Sequence, residues 1–153
     1  MNLLSAQTIA LQLFEEHGLE KWKFKFDRAR TRFGCCNFTN QTISISRILT
    51  QLNSPEKVKD TILHEIAHAL AGKNCAHGKA WRAKAVEIGC VAKRCYSKEE
   101  VETPRGKYTA KCGNCEKEFQ AMRRRKGVAC RECCRRLNGG KYSAEFRIEF
   151  AEN

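Results

Sequence analysis

His64-Glu65-Ile66-Ala67-His68 places two imidazoles four residues apart with a carboxylate beside the first. On an α-helix that spacing sets His64 and His68 on one face, one turn apart. Both can then hold a single zinc ion, with Glu65 next to the open coordination position. The pattern predicts a metallopeptidase centre with His64 and His68 as ligands and Glu65 as catalytic base. A pair of surface histidines on an amphipathic helix is the plain alternative, and the flanking sequence argues against it. Three of the four histidines fall between residues 64 and 77, and only His17 lies elsewhere.

The surrounding residues define the helix. Ser54-Pro55-Glu56 supplies an N-cap, a proline at the first helical position and an acidic first turn, and Gly72 supplies the stop. Val58, Ile62 and Ile66 recur at i, i+4 and i+8, with Leu63 and Leu70 widening the stripe, so one side packs into a core. A third protein ligand leaves the fourth position for water. His77, nine residues after His68, is the preferred candidate, because Gly72 lets the chain turn back and the polar turn otherwise has no use for a histidine. Glu87, nineteen residues after His68, is the rival in a His₂Glu arrangement, and Cys75 is a softer third option.

The run Asp60-Thr61-Ile62-Leu63-His64-Glu65-Ile66-Ala67-His68-Ala69-Leu70, followed by His77-Gly78-Lys79-Ala80-Trp81, resembles the SprT-like family of zinc metallopeptidases. Its best-known eukaryotic member, Spartan, is a DNA–protein crosslink protease. The similarity extends upstream to Trp22-Lys23-Phe24-Lys25-Phe26 and Thr42-Ile43-Ser44-Ile45-Ser46, and downstream to a C-terminal zinc ribbon of the kind many bacterial and phage members carry. It covers most of residues 20–150 and is firmer for the catalytic half. The resemblance implies that His64, His68 and His77 bind zinc, that Glu65 is the base, and that the substrate is protein bound or crosslinked to DNA. It also implies a zincin-like α+β fold, in which strands beside the zinc helix form one wall of the cleft for an extended peptide.

Cys112-Gly113-Asn114-Cys115 and Cys130-Arg131-Glu132-Cys133 form a second constellation, two CxxC knuckles separated by fourteen residues. That spacing suits a four-thiolate structural zinc site, since residues i and i+3 in a tight knuckle converge on a metal more readily than they pair as disulfides. Cys134 adjoins Cys133, so either can supply the fourth ligand, and the CxxC phase favours Cys133. Two zinc ions are therefore expected, one catalytic and one structural. The other cysteines, Cys35, Cys36, Cys75, Cys90, Cys95 and Cys134, read as free thiols or small buried fillers.

At 153 residues the chain fits one ordinary domain with a small metal-stapled appendage, and Pro104-Arg105-Gly106 marks the boundary. The expected organisation is a metallopeptidase domain over 1–104 and a small β zinc ribbon over 105–153, too short to bury a sufficient core without its metal. The net charge of +12 is uneven: between Arg105 and Tyr142 stand twelve Lys and Arg against three Glu. Arg123, Arg124, Arg125 and Lys126 lie between the knuckles, and Arg131, Arg135 and Arg136 surround the second. Such density on a small rigid module predicts a nucleic-acid surface tracking phosphates. Tyr108, Phe119 and Tyr142 either stack on bases or form the ribbon's core. Lys21, Lys23 and Lys25 alternate with aromatics and read as a solvated strand face.

A helix over Ser5–His17 is expected to carry Ile9, Leu13 and Phe14 on one face and to end at Gly18. Strands are predicted at 22–26, at Phe33–Phe38 and at Thr42–Ser46, the last two as a hairpin around Thr39-Asn40-Gln41. A helix from Lys79 to Ile88 ends at Gly89, and Ala144–Phe150 reads as a closing ribbon strand. The N-terminus has no basic leader region and no stretch approaches membrane-spanning length, so the expectation is a cytoplasmic protein with reduced cysteines, nucleoid-associated if it binds DNA. Metal-assisted hydrolysis of peptide bonds, with loose specificity, is the expected activity. The competing class is a non-catalytic zinc-containing nucleic-acid-binding or regulatory protein, and a third is a module binding acidic protein surface. Glu65 discriminates, because a structural zinc site has no use for a carboxylate at an open position.

Overall fold

The computed structural model describes residues 1–94, 96 and 100–153, so Cys95 lies outside the described residues. Two compact units form, Met1–Pro104 and Arg105–Asn153, each around its own hydrophobic cluster.

In the first unit, α1 (Leu3–Glu16) starts at Asn2, whose side chain accepts from Ser5 N at 2.8 Å, and buries Ala6, Ala10, Leu13 and Phe14 along one stripe. Three strands follow: β1 (Lys23–Asp27), β2 (Gly34–Asn37) and β3 (Thr42–Ser46), in the order β1-β3-β2. β3 pairs parallel with β1 and antiparallel with β2, and all five of its residues are buried. Alternation along the strands sends Ile43, Ile45, Phe24 and Phe26 into the core, where Phe24 meets Phe14 of α1 edge-on. Thr42, Ser44 and Ser46 point to the opposite face, across which the chain from 28 to 33 is strapped. Ser44 Oγ donates to Asp27 (2.9 Å) and Ser46 Oγ to the Ala29 carbonyl (2.6 Å).

A short helix, α2 (Arg47–Leu52), joins β3 to the long helix. Six residues are too few to show an amphipathic period, so its signal is local: Ser46 Oγ accepts from Leu49 N at 3.2 Å. α3 (Pro55–Ala71) then carries the HExxH run, capped by Ser54 and closed at Gly72 with φ 94°. Val58, Ile62, Leu63 and Ile66 are buried, as the stripe requires, and Leu70 lies partly exposed at its end. α4 (Lys79–Glu87) packs against α3 and ends before Gly89.

The second unit is a three-stranded antiparallel sheet, β4 (Tyr108–Cys112), β5 (Glu118–Ala121) and β6 (Ile148–Glu152), in the order β5-β4-β6, with helix α5 (Arg131–Leu137) between β5 and β6. The closing segment differs from the expected single strand over Ala144–Phe150. Residues Ala144–Phe146 form a 3₁₀ turn, because Ser143 Oγ accepts from Glu145 N and offers the backbone a local alternative to the ladder. Phe146 still reaches the core, beside Ile148, Ala110 and the cysteines. Tyr108, Phe119 and Tyr142 do not form that core: Tyr108 is half-buried, and Phe119 and Tyr142 are exposed. No helix among the described residues is long and apolar enough to cross a membrane.

Candidate metal centres

The one-turn separation on α3 puts His64 and His68 side by side, and the loop after the helix returns His77 to them. Two tight turns make that loop: Cys75 N donates to the Gly72 carbonyl at 3.2 Å and Gly78 N to the Cys75 carbonyl at 2.9 Å. Ala76 takes a left-handed φ of 40° just before His77. His77 Nε2 ends 3.0 Å from His64 Nε2 and 3.1 Å from His68 Nε2. A single ring proton cannot serve both contacts as hydrogen bonds. Two nitrogens bound to one tetrahedral zinc at ~2.0–2.1 Å stand about 3.3 Å apart, so the three imidazoles match a shared cation.

Neither Glu87 nor Cys75 joins the three imidazoles. Glu87 is exposed and pairs with Lys84 at 2.9 Å, and Cys75 Sγ donates to the Ala71 carbonyl at 2.8 Å. Burial lowers the imidazole pKa values of His64 and His68 to about 4, with smaller contributions from neighbouring imidazoles. His77 is lowered too, by burial and then by Arg94. All three rings are therefore neutral near pH 7, with lone pairs free for a metal.

Trp81 is the residue whose role the motif did not reveal. It is fully buried at the start of α4, its ring centroid lies 4.7 Å from those of His64 and His77 and 5.4 Å from that of His68, and its Nε1–H donates to the His64 carbonyl at 3.4 Å. It thus forms a wall against which all three rings are held. Its position four residues after His77 on a helix is the one sequence signal that could have marked it.

Glu65 points from α3 toward β2, where the Cys36 backbone N–H donates to its carboxylate. It fits only because residue 34 is glycine: a Cβ there would lie 2.5 Å from Glu65 Oε1 and 2.7 Å from its Cγ. Burial raises the Glu65 carboxyl from 4.5 to about 7, and the charge of Arg32 and the Cys36 N–H partly offset it. Arg32 is anchored by Asp27 at 2.7 Å, so a guanidinium stands in the field of the carboxylate. The neighbouring Cys36 thiol is driven to about 12 by burial and by Glu65, so it stays protonated.

In the second unit the four knuckle thiols converge. Cys112, Cys115, Cys130 and Cys133 have all sulfurs within 4.8 Å of one another. Cys112 and Cys133 are 3.8 Å apart and Cys115 and Cys130 are 3.7 Å apart. Zinc–sulfur bonds of ~2.3 Å at tetrahedral angles give about 3.8 Å, which these pairs match. Cys133 belongs to the group and Cys134 is buried in the core beside it. Backbone N–H groups, Cys133 first, lower the Cys130 thiol to about 7, which favours the thiolate a metal needs.

The SprT-like family model matches residues 5–103, from α1 through the segment after α4. The chain belongs to the SprT-like family. No curated protein matches the chain. The SprT-like match spans the three histidines, Glu65, Gly34 and Trp81, whereas the ribbon lies beyond it. SprT-like proteins are metallopeptidase-like in general, which agrees with a histidine cluster able to hold zinc. The ribbon that follows the SprT-like match in this chain carries exposed Arg123, Arg124, Arg125, Lys126, Arg131, Arg135 and Arg136. Arg124 is partly engaged within the unit, over the Tyr108 ring at 4.9 Å and 3.8 Å from Glu152.

Proposed function

We propose that this protein is a zinc-dependent endopeptidase acting on proteins bound or crosslinked to DNA. The observation that carries the peptidase reading is the convergence of the His64, His68 and His77 imidazoles on one point, with a buried carboxylate on the adjoining residue. The three imidazoles would hold the catalytic zinc, and Cys112, Cys115, Cys130 and Cys133 a structural one. A zinc ion on three neutral imidazoles supplies Lewis acidity, which makes water nucleophilic near neutral pH and polarises a carbonyl. Glu65 accepts the water's proton and passes it to the leaving amine, and its burial on α3 keeps the carboxylate beside the three imidazoles for both transfers. The space left by Gly34 admits the carboxylate, and Trp81 keeps the imidazoles from swinging away. A structural zinc site would give no reason to bury Glu65 against β2, which supports the enzyme over the non-catalytic regulator.

The nucleic-acid half of the reading rests on the family and on the basic ribbon. Cleavage of a DNA-binding protein, with and without DNA, by the zinc-loaded parent and by Glu65→Gln tests it. We expect DNA-stimulated cleavage by the parent and a rate about 10²–10⁴ lower in the variant. Equal rates in the two proteins would overturn Glu65 as the base, and cleavage indifferent to DNA would remove the DNA-bound substrate.

A further inference from the structure

The first unit has its own charge asymmetry. Residues 21–32 hold Lys21, Lys23, Lys25, Arg28, Arg30 and Arg32 against Asp27 alone, whereas the rest of Met1–Pro104 holds ten basic and ten acidic residues. The whole excess charge of the catalytic unit therefore sits in one twelve-residue stretch. The fold gathers it on one face. Lys23 and Lys25 pair with Thr42 and Ser44, on the side of the sheet opposite the core-facing Phe24, Phe26, Ile43 and Ile45. The chain from 28 to 33 crosses that same side, tied by Ser44 to Asp27, Ala29 N to Asp27, Ser46 Oγ to Ala29 and Ser46 N to the Phe33 carbonyl. Lys23, Lys25, Arg28 and Arg30 are exposed and make no ion pair among the described residues. Asp27, the one acid within residues 21–32, is already taken up by Arg32, Ser44 and the Ala29 N–H.

We propose that this face of the catalytic unit is itself a phosphate-binding surface for nucleic acid, with Lys23, Lys25, Arg28 and Arg30 as its contacts. Cations held on a strand and a strapped loop lose little freedom on binding, unlike those on a free tail. Four free cations spread along a strand and the loop that follows it suit the repeating anions of a phosphate backbone, which offers a charge at regular intervals whatever the base sequence. An acidic protein would have to match that spacing with individually placed carboxylates. The inference rests on the nucleic-acid half of the proposed function and adds a second contact to it. Arg32 begins the approach to Gly34 and Glu65, so nucleic acid on this face would lie on the catalytic unit itself.

The test uses the full chain in four forms: parent, Lys23→Gln/Lys25→Gln/Arg28→Gln/Arg30→Gln, a ribbon variant with Arg123, Arg124, Arg125 and Lys126 changed to Gln, and both sets combined. Binding to a labelled oligonucleotide, single-stranded and duplex, is measured from about 50 to 200 mM salt. We expect the sheet-face variant to weaken binding and flatten the salt dependence in both backgrounds. Each lost phosphate contact should lower the log–log slope by about 0.9 on duplex or about 0.7 on single strands. Arg28→Gln/Arg30→Gln alone should give part of that loss, and circular dichroism should show an unaltered fold. Cleavage of a short free peptide should be unchanged, because none of the four residues belongs to the catalytic group. Parent-like affinity and slope in the sheet-face variant, with the ribbon variant impaired, would overturn this inference and leave the proposed function standing. No binding by any form would overturn both. Displacement of DNA by polyglutamate at equal charge concentration would assign the face to an acidic protein instead, and so overturn it as well.

Discussion

Glu65 and Gly34 constrain each other. Because a Cβ at residue 34 would meet the Glu65 carboxylate at 2.5 Å, Gly34→Ala should displace that carboxylate while leaving the histidines in place. Gly34 lies in an extended strand outside the left-handed region, so alanine there costs the backbone nothing. We expect kcat to fall at least tenfold with zinc content kept, and the loss to shrink in the Glu65→Gln background, where the carboxylate that Gly34 makes room for is already gone. Equal losses in the two backgrounds would remove Gly34 as a positioning residue. Glu65 also makes a pH prediction for the chelator-treated protein. Its folded pKa of about 7 exceeds its ordinary 4.5, so its contribution to stability is fully present below 4.5 and is lost as pH rises to 7. Glu65→Gln should therefore raise unfolding free energy at pH 8 by on the order of 3 kcal/mol and leave it unchanged near pH 4, as read by urea denaturation. The place of Glu65 beside His64 on a helix was legible in the sequence. Its dependence on Gly34 was not, since thirty-one residues separate them and only the packing of β2 on α3 joins them.

At the scale of elements, α3 and the loop after it both contribute to the candidate histidine centre. The helix fixes His64 and His68 rigidly, while the 72–78 turns place His77. His77→Ala should weaken zinc binding at this centre by one or more orders of magnitude, and Glu87→Ala should leave it unchanged, measured by competition with a chromophoric chelator. The reverse ranking would move the centre to a His₂Glu type. The helix α3 was readable because Ser54, Pro55 and Gly72 mark its limits and its apolar stripe is regular. The short helix α2 and the parallel pairing of β1 with β3 were not. Neither leaves a local period, and the pairing brings together segments that are separated by β2. The 144–146 turn departs from the expected strand for a related reason: alternation of Phe146, Ile148 and Phe150 is equally served by a 3₁₀ turn that buries its last residue. Asp60 adds a fastening that no motif announced, accepting from Tyr96 Oη at 2.7 Å and Val91 N at 2.8 Å, and so holding the chain beyond α4 against α3.

For the whole molecule, the two candidate metal groups lie in two separately packed units, so each should load independently. Cys112→Ser or Cys130→Ser should remove one equivalent of zinc and abolish the protected amides of residues 105–153 in hydrogen exchange. The histidine centre should keep its metal, and the amides of α3 their protection. The ribbon core is largely cysteine, Phe146, Ile148 and Ala110, too little apolar volume to stand without a cross-link. Loss of both zinc equivalents in a single cysteine variant would contradict the division. The unit boundary was readable from Pro104-Arg105-Gly106 and the shift in charge, while the strand order of either sheet required the fold.

Trp81 gives the centre an optical property. The chain has two tryptophans, and this one is sealed from solvent with its ring against three imidazoles. An indole so placed reads the state of its neighbours through its emission: a protonated imidazole draws light from it, and a paramagnetic ion seated among the rings, such as cobalt, extinguishes it. Occupancy of this centre can thus be followed in real time from the protein's own fluorescence, without label or substrate.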